Sequence, residues 1–253
     1  MRTIVALVIV LSLAGNVSAD MVAHWTFDED AGLTNHDSAG DNDGTIYGAT
    51  WTDDGKVGGA LSFNGTDSYV DVPDDPSLRF DQSDSFSIAY WAKPTTDGGC
   101  YLISKMRASG QGIFGYSGGY YAPNGEFGFV VEQSGWNYAS VQTQTDAAPA
   151  GSWYHVAAVY DNGNMKIYLN GQLEGTGTFN YDTGTTTPDE YLCIGARAYD
   201  GKRDLYFKGL IDDVRIYNNA LSQAEVVALV PEPASAMIMT LGATIISLRR
   251  RKC

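Results

Sequence analysis

The chain has 253 residues, with 16 Lys plus Arg set against 30 Asp plus Glu, a formal net charge of -14 and three cysteines. So acidic a surface disfavours nucleic acid and anionic lipid as partners and leaves cations and neutral ligands as the compatible classes. Without the two terminal segments described below, Lys plus Arg falls to 11 while all 30 acids remain, so the body carries a formal charge of -19.

In chain order, Arg2 precedes an apolar run from Ile4 to Leu13, and Val17-Ser18-Ala19 offers the small residues of a signal-peptidase site. Residues 1–19 are therefore expected to be a signal peptide, cleaved after Ala19. The run stops well short of the roughly 20 apolar residues that an uncleaved span requires. From Met21 onward come short β-type runs separated by Gly, Asn and Asp: VAHWTF, GALSFNG, SYVDV, SFSIAYWAKP, CYLISKM, GEFGFVVEQ, WYHVAAVY, MKIYLNG, YLCIGA and KGLIDDVRIY. Such spacing predicts an all-β sandwich or barrel. Alternation within Ser85 to Trp91 puts Phe86, Ile88 and Tyr90 on one face and Ser87, Ala89 and Trp91 on the other. The Gly-rich stretch from Gly110 to Gly119 has no following Lys-Ser or Lys-Thr and reads as an adaptable loop, not a phosphate cradle. Asp161-Asn162-Gly163-Asn164 predicts a tight hairpin. Only Leu221 to Leu229 looks helical, with Ser222 as N-cap and Glu225 three residues on. No internal repeat divides the body, and about 214 residues suit one domain.

The chain ends VPEPASAMIMTLGATIISLRRRKC. Ala234 to Leu248 is uncharged and predicts a short hydrophobic helix, and the cations Arg249 to Lys252 would stay on the cytoplasmic side, leaving the body outside. The helix is short against a span of about 20 residues, a mismatch that snorkelling and local thinning can absorb. The order Pro231-Glu232-Pro233, short membrane helix and Arg-rich end resembles the PEP-CTERM sorting signal of Gram-negative bacteria over residues 230–253. That resemblance implies recognition and cleavage by an exosortase, with signal peptidase acting earlier. A transiently anchored chain would then reach the cell surface or extracellular matrix. Pro231 and Pro233 would keep the motif extended and accessible.

The pieces AHWTFDE, VGGALSFNGTDSYVDVP, SFSIAYWAKP, SWYHVAAVYDNGNMKIYLNG, LCIGA and FKGLIDDVRIYNNALSQAEV are similar, in order and spacing, to those of the LamG-like jelly roll. This is the concanavalin A-like sandwich also called laminin G-like. The resemblance runs from Val22 to about Leu229, within a domain spanning 20–229, and implies a jelly-roll sandwich of two antiparallel sheets. Fold alone does not assign function, since one sandwich hosts many activities. Related sandwich glucanases carry Glu-x-Asp-x-x-Glu, which is absent; Glu126 and Glu132 lie six apart, roughly 20 Å along a strand, too far for either standard glycosidase mechanism. His155 lacks an adjacent nucleophile and reads as a strand residue. Asn64-Gly65-Thr66 reads as a turn.

The expectation is thus a non-catalytic module recognising glycan, with polysaccharide as the ligand. Tyr116, Tyr120, Tyr121, Trp136 and Tyr138 supply ring faces for stacking and nearby Asn, Gln and Asp bond hydroxyls. The alternative is that half or more of these aromatics pack within strands. A structural or adhesive protein acting through protein contacts is the competing class, and a cryptic glycosidase the third. The resemblance also implies that the strands holding Cys100 and Cys193 lie close, which gives one disulfide in an oxidising compartment. Finally, alternation puts Asp212 on the face of Val214 and Ile216, toward the core. Its position in IDDVRIY resembles that of a structural Ca2+ ligand in sandwich glucanases, with Asp28 as N-terminal partner and the Asn64-Gly65 turn supplying carbonyl oxygen. The alternative has Asp212 bonding backbone N–H groups or Arg215.

Overall fold

The computed structural model describes residues 20–230 apart from 81–82, 96–98, 110–111, 122–123, 134–136, 180–188 and 200. The expected signal peptide, the Pro231-Glu232-Pro233 motif, the C-terminal hydrophobic helix and Trp136 lie outside the described residues. Among the described residues, eighteen strands follow one another. They are β1 (Met21–Trp25), β2 (Thr34–Asn35), β3 (Gly44–Tyr47), β4 (Thr50–Thr52), β5 (Ala60–Asn64), β6 (Tyr69–Val72), β7 (Ser85–Pro94), β8 (Cys100–Ser109) and β9 (Gly112–Tyr121). The second half adds β10 (Glu126–Gln133), β11 (Asn137–Gln142), β12 (Tyr154–Asp161), β13 (Asn164–Leu169), β14 (Gln172–Thr178), β15 (Leu192–Ile194), β16 (Arg197–Tyr199), β17 (Lys202–Asp204) and β18 (Lys208–Tyr217). The α-helix among the described residues, α1, spans Gln223–Ala228.

Two antiparallel sheets form. The first runs β14-β13-β12-β7-β18-β5-β4 with β1 also on β18, and the second runs β11-β10-β9-β8-β15-β6-β3-β2. The β16–β17 pair is a separate ribbon. The expected alternation holds on β7: Phe86, Ile88, Tyr90 and Ala92 join the core between the sheets, where Val156, Ala158 and Tyr160 of β12 and Phe127, Phe129 and Val131 of β10 meet them. The hairpin at residues 161–164 forms as read, with Asn162 at φ 43° and Gly163 at φ 89°, the left-handed pair that a two-residue turn between twisted strands favours. Ser222 and Glu225 close a full capping box on α1.

Three expectations are corrected. Gly112–Tyr121 is strand β9, not a loop, because pairing on both edges with β8 and β10 overrides the weak strand preference of glycine. Asp212 faces away from the core: β18 carries a bulge between Asp212 and Arg215, with Asp213 at φ 53° as the extra residue. One extra residue moves Asp212 to the face opposite Val214 and Ile216.

The third correction concerns the cysteines, which are free and buried. Their strands are adjacent, as expected, since β15 pairs with β8. But Cys193 is opposite Ser104, whereas Cys100 is four residues earlier on β8, about 13 Å along the strand and beyond the roughly 7 Å that bridged Cα atoms tolerate. They also point to opposite faces: Cys100 lies in the inter-sheet core and Cys193 in a small outer cluster with Ala196 and Ala198. Burial pushes the Cys100 thiol up to about 12 and raises that of Cys193 as well, which keeps both protonated and unreactive. In unreduced protein, maleimide should therefore modify neither Cys100 nor Cys193 in the native state and both after denaturation, as read by peptide mass. A Cys100–Cys193 peptide pair that appears only after reduction would contradict the packing.

Candidate functional site

On the outer face of the second sheet, facing glycines form a floor without side chains, the recess, over which one tyrosine ring lies. Gly119 on β9 lies opposite Gly128 on β10, which lies opposite Gln142 on β11. The absent side chains let the Tyr121 ring lie back over the sheet: a Cβ on Gly128 would stand 2.5 Å from Tyr121 Cε2. Gly115, at φ 125°, is fixed for a different reason, since its Cβ would meet the Lys105 carbonyl at 1.9 Å.

Around this floor stand polar and aromatic groups. Glu132 is half-buried and lies opposite Tyr138, which is 60% exposed at the rim. Tyr101 on β8 lies opposite Gly119. The Arg197 guanidinium sits over the Tyr101 ring at 5.7 Å. It is aimed there by Ser104, whose Oγ donates to the Ala196 carbonyl (2.9 Å) and accepts from the Ala198 N–H (2.7 Å), pinning the residues on either side of Arg197. Asp204 holds the guanidinium through two bonds of 2.7 and 2.6 Å.

The electrostatics tie these groups into one site. Burial raises the Tyr121 hydroxyl to about 12, with Tyr101, Glu132 and Tyr138 acting in the same direction. Burial also raises the Glu132 carboxyl, and Arg197 pulls it back. Glu132 Oε2 is buried with no hydrogen-bond partner among the described residues. A carboxylate oxygen in that state is an acceptor waiting for a donor.

The sequence-expected residues divide accordingly. Tyr121 and Tyr138 belong to the recess. Tyr116 and Tyr120 do not: they are 2% and 1% exposed, belong to the inter-sheet core, and donate their hydroxyls to the Leu78 and Ala148 carbonyls. Tyr101 and Arg197 were missed, because strand pairing and a separate ribbon bring them to the recess from distant parts of the chain. Glu126 lies on the same strand as Glu132 but is engaged by the Thr145 hydroxyl.

A second polar site lies on the outer face of the first sheet, where His155, Trp91 and Asp212 are direct cross-strand neighbours. Each has a buried atom without a partner among the described residues: His155 Nδ1, Trp91 Nε1 and Asp212 Oδ1. Asp212 Oδ2 accepts the Lys56 and Val57 N–H groups at 2.7 and 2.8 Å, and Asp28 Oδ1 accepts that of Gly59 at 2.7 Å, so both carboxylates grip the same loop. Lys56 Nζ lies 4.8 Å from the Trp91 ring centroid. Asp213, not Asp212, pairs with Arg215 and His24. Of the residues expected at a Ca2+ site, Asp28 and Asp212 hold one loop between them, and Asp212 Oδ1 has no partner among the described residues. Asn64 and Gly65 do not join them. Asn64 lies opposite Lys208, about 13 Å along β18 from Asp212, and its Oδ1 accepts from Thr66, Asp67 and Ser68. Among the described residues no group of three or more His, Cys, Asp or Glu side chains could hold a metal.

The family model of the concanavalin A-like lectin/glucanases superfamily matches residues 64–227, more than half of the chain. No curated protein matches. Among solved structures, the binding domain of Paraclostridial Mosquitocidal Protein 1 superposes with a TM-score of 0.68 at 16% identity, over 83% of this chain and 51% of that one. Domain 4 of AbnA, a GH43 extracellular arabinanase from Geobacillus stearothermophilus, in complex with arabinotriose, gives 0.64 at 26% identity over 84% of this chain and 99% of that one. The binding domain of botulinum neurotoxin DC in complex with SialylT gives 0.61 at 16% identity, over 83% and 50%. The chain thus spans about half the length of the two toxin domains.

Burial raises the Asp212 carboxyl to about 7, with Asp213 and Asp28 acting in the same direction and the two loop N–H groups opposing. An unfolded aspartate titrates near about 4, so the folded state binds the extra proton from there to about 7, and this contribution to stability is lost as pH rises through that window. His155, lowered to about 4 chiefly by burial, acts in the opposite sense over an overlapping range. The readout is therefore the difference between wild type and Asp212→Asn in chelator. The variant's melting temperature should gain on wild type steadily from pH 4 to pH 7; a constant difference would show that Asp212 titrates normally.

Proposed function

The chain belongs to the concanavalin A-like lectin/glucanases superfamily, and from that premise we propose that it is a non-catalytic module binding neutral glycan in the recess of its second sheet. The observation that carries this reading is the junction of Tyr121, Tyr138 and the unpartnered Glu132 oxygen over a glycine floor. Sugar rings present C–H faces that pack on tyrosine, and their hydroxyls supply the donor that Glu132 lacks. The arabinotriose-bound arabinanase domain shares the fold and supports the ligand class. Binding without hydrolysis is supported by the carboxylates: Glu126 and Glu132 are about 20 Å apart by strand rise, whereas glycosidase pairs sit about 5 to 9.5 Å apart.

The same reading includes export by signal peptidase and exosortase processing, supported by the order of segments in residues 1–19 and 230–253. It also includes a structural Ca2+ held by Asp28 and Asp212, supported by the orphaned Asp212 Oδ1. Calcium would neutralise a carboxylate that burial otherwise penalises. It should raise the melting temperature of wild type in a concentration-dependent way and leave Asp212→Asn unmoved; equal curves in chelator and calcium would remove the metal.

For the recess, calorimetric titration with arabinotriose and a panel of neutral oligosaccharides should show saturable binding. Tyr138→Ala should weaken it roughly five-fold, about 1 kcal/mol for one aromatic face. Gly128→Ala, which displaces the Tyr121 ring while leaving the fold, should weaken it as well. Binding untouched by Tyr138→Ala, Glu132→Gln and Gly128→Ala would move the site elsewhere.

A further inference from the structure

Across the β16–β17 ribbon from the recess, the same outer face carries a second aromatic group, centred on β3 and β6, which the recess does not use. Tyr47 of β3 and Tyr69 of β6 are cross-strand neighbours, with rings stacked 4.8 Å apart at 19°. Arg203 of β17 lies over Tyr69 at 5.7 Å and over Tyr191 at 5.9 Å. Tyr206 meets the edge of the group, 6.3 Å from Tyr69. Ring, ring, guanidinium and ring thus form a ladder whose parts come from residues 47, 69, 203 and 191.

The guanidinium is a spacer and not an anion receptor. Its Nε donates to Asp71 Oδ1 at 2.7 Å, its Nη1 donates to the Lys202 carbonyl at 2.9 Å, and the side chain is only 9% exposed. Asp71 cancels its charge, and the chain as a whole is acidic, so a uronate or phosphate ligand gains nothing here. Packing explains the inner rungs, since Tyr69 and Tyr206 cover Cys193, Ala196 and Ala198. It does not explain the ends. Tyr47 and Tyr191 are 45% and 46% exposed and stand outside that cluster, each with one ring face engaged by the ladder. Phenol rings held rigid at low entropy cost, with a free face and a hydroxyl, suit a neutral sugar ring.

We propose that the Tyr47–Tyr69–Arg203–Tyr191 ladder is a second subsite for neutral glycan, so that the domain engages one polysaccharide at two places along one sheet. The inference rests on the reading of the recess as a glycan site and extends it. From β10 to β3 the sheet crosses five strand spacings, about 24 Å, so a short oligosaccharide meets one subsite and a polymer reaches both. The second contact is then intramolecular, and affinity rises without any new chemistry.

The test compares arabinotriose with linear arabinan, alongside a panel of neutral oligosaccharides and their polymers, on wild-type protein and on variants whose thermal melts match it. Wild type should hold polymer at least ~10-fold tighter than the matching short oligosaccharide. Tyr47→Ala combined with Tyr191→Ala should abolish that gain and leave short-oligosaccharide affinity in place, and Tyr47→Leu with Tyr191→Leu, which keeps apolar bulk but not the ring face, should do the same. Tyr138→Ala should weaken both ligands. A double variant that retains the full polymer gain overturns the second subsite and spares the recess. Loss of all binding in the double variant, with Tyr138→Ala unaffected, overturns the recess and with it the two-subsite proposal. Failure of every panel member to bind wild type overturns both.

Discussion

The Phe86 ring joins the two sheets, and the rest of the molecule is arranged around that junction. It meets Phe80 at 4.6 Å, Tyr116 at 5.2 Å, Tyr160 at 5.4 Å and Phe129 at 6.0 Å, drawing on β7 and β12 from one sheet and β9 and β10 from the other. Loss of a ring so placed costs about 3–5 kcal/mol in a protein core. Strand alternation then assigns every second residue on these strands to the core, including five tyrosines whose hydroxyls must find acceptors inside. Tyr116, Tyr120 and Tyr154 do so on the carbonyls of Leu78, Ala148 and Pro149. The inner face is thereby committed to packing, and the outer faces are left as the exposed surfaces.

Those outer faces are used differently. On the first sheet, Ala157, Val159, Tyr168 and Tyr217 are covered by Leu221 and Val226 beside and within α1, and the loop at residues 55–59 closes over Trp91 and Asp212. The second sheet has no such helix among the described residues, and its glycines let aromatic rings lie on the sheet. One buried charge braces that sheet from within. Lys105, with no exposed surface, donates to Asp74 at 2.7 Å and to the Glu190 carbonyl, while Asp74 also receives Arg79. Burial lowers the Lys105 ammonium and the Asp74 bond opposes it, so the pair specifies where the segment at 74–79 docks more than it adds stability.

Most of the fold could be read because its signals are local. Alternation in SFSIAYWAKP, the left-handed pair Asn162-Gly163 and the Ser222–Glu225 capping box each act within a few residues, and each reappears in the structure. The recess could not be read in the same way. Tyr101, Tyr121, Glu132 and Arg197 meet only through the order β10-β9-β8 and through Ser104, and nothing near Arg197 in the chain signals Tyr101. Composition misled twice. Glycine density in β9 suggested a loop where it opens a floor, and the tyrosine supply in GYSGGYY mixes inner and outer positions that only strand register separates. The bulge at Asp213 is the sharpest case, since one left-handed residue reverses the facing of Asp212 and no spacing rule announces it.

That bulge also sets Asp212 apart from the recess. Asp212, Trp91 and His155 stand on the outer face of one sheet and Glu132, Tyr121 and Tyr138 on the outer face of the other, with a layer about 10 Å thick between the sheets. A proton at Asp212 acts on the loop that Asp28 and Asp212 hold, and hence on the β5 and β18 edge of the first sheet. The recess is built from β8 to β11 and the β16–β17 ribbon, none of which pairs with those strands. The electrostatic groups acting on Glu132 and Tyr121 likewise come from the second sheet and its ribbon. A change at Asp212 is thus confined to the first sheet, while the geometry of the glycine floor is set by its own register.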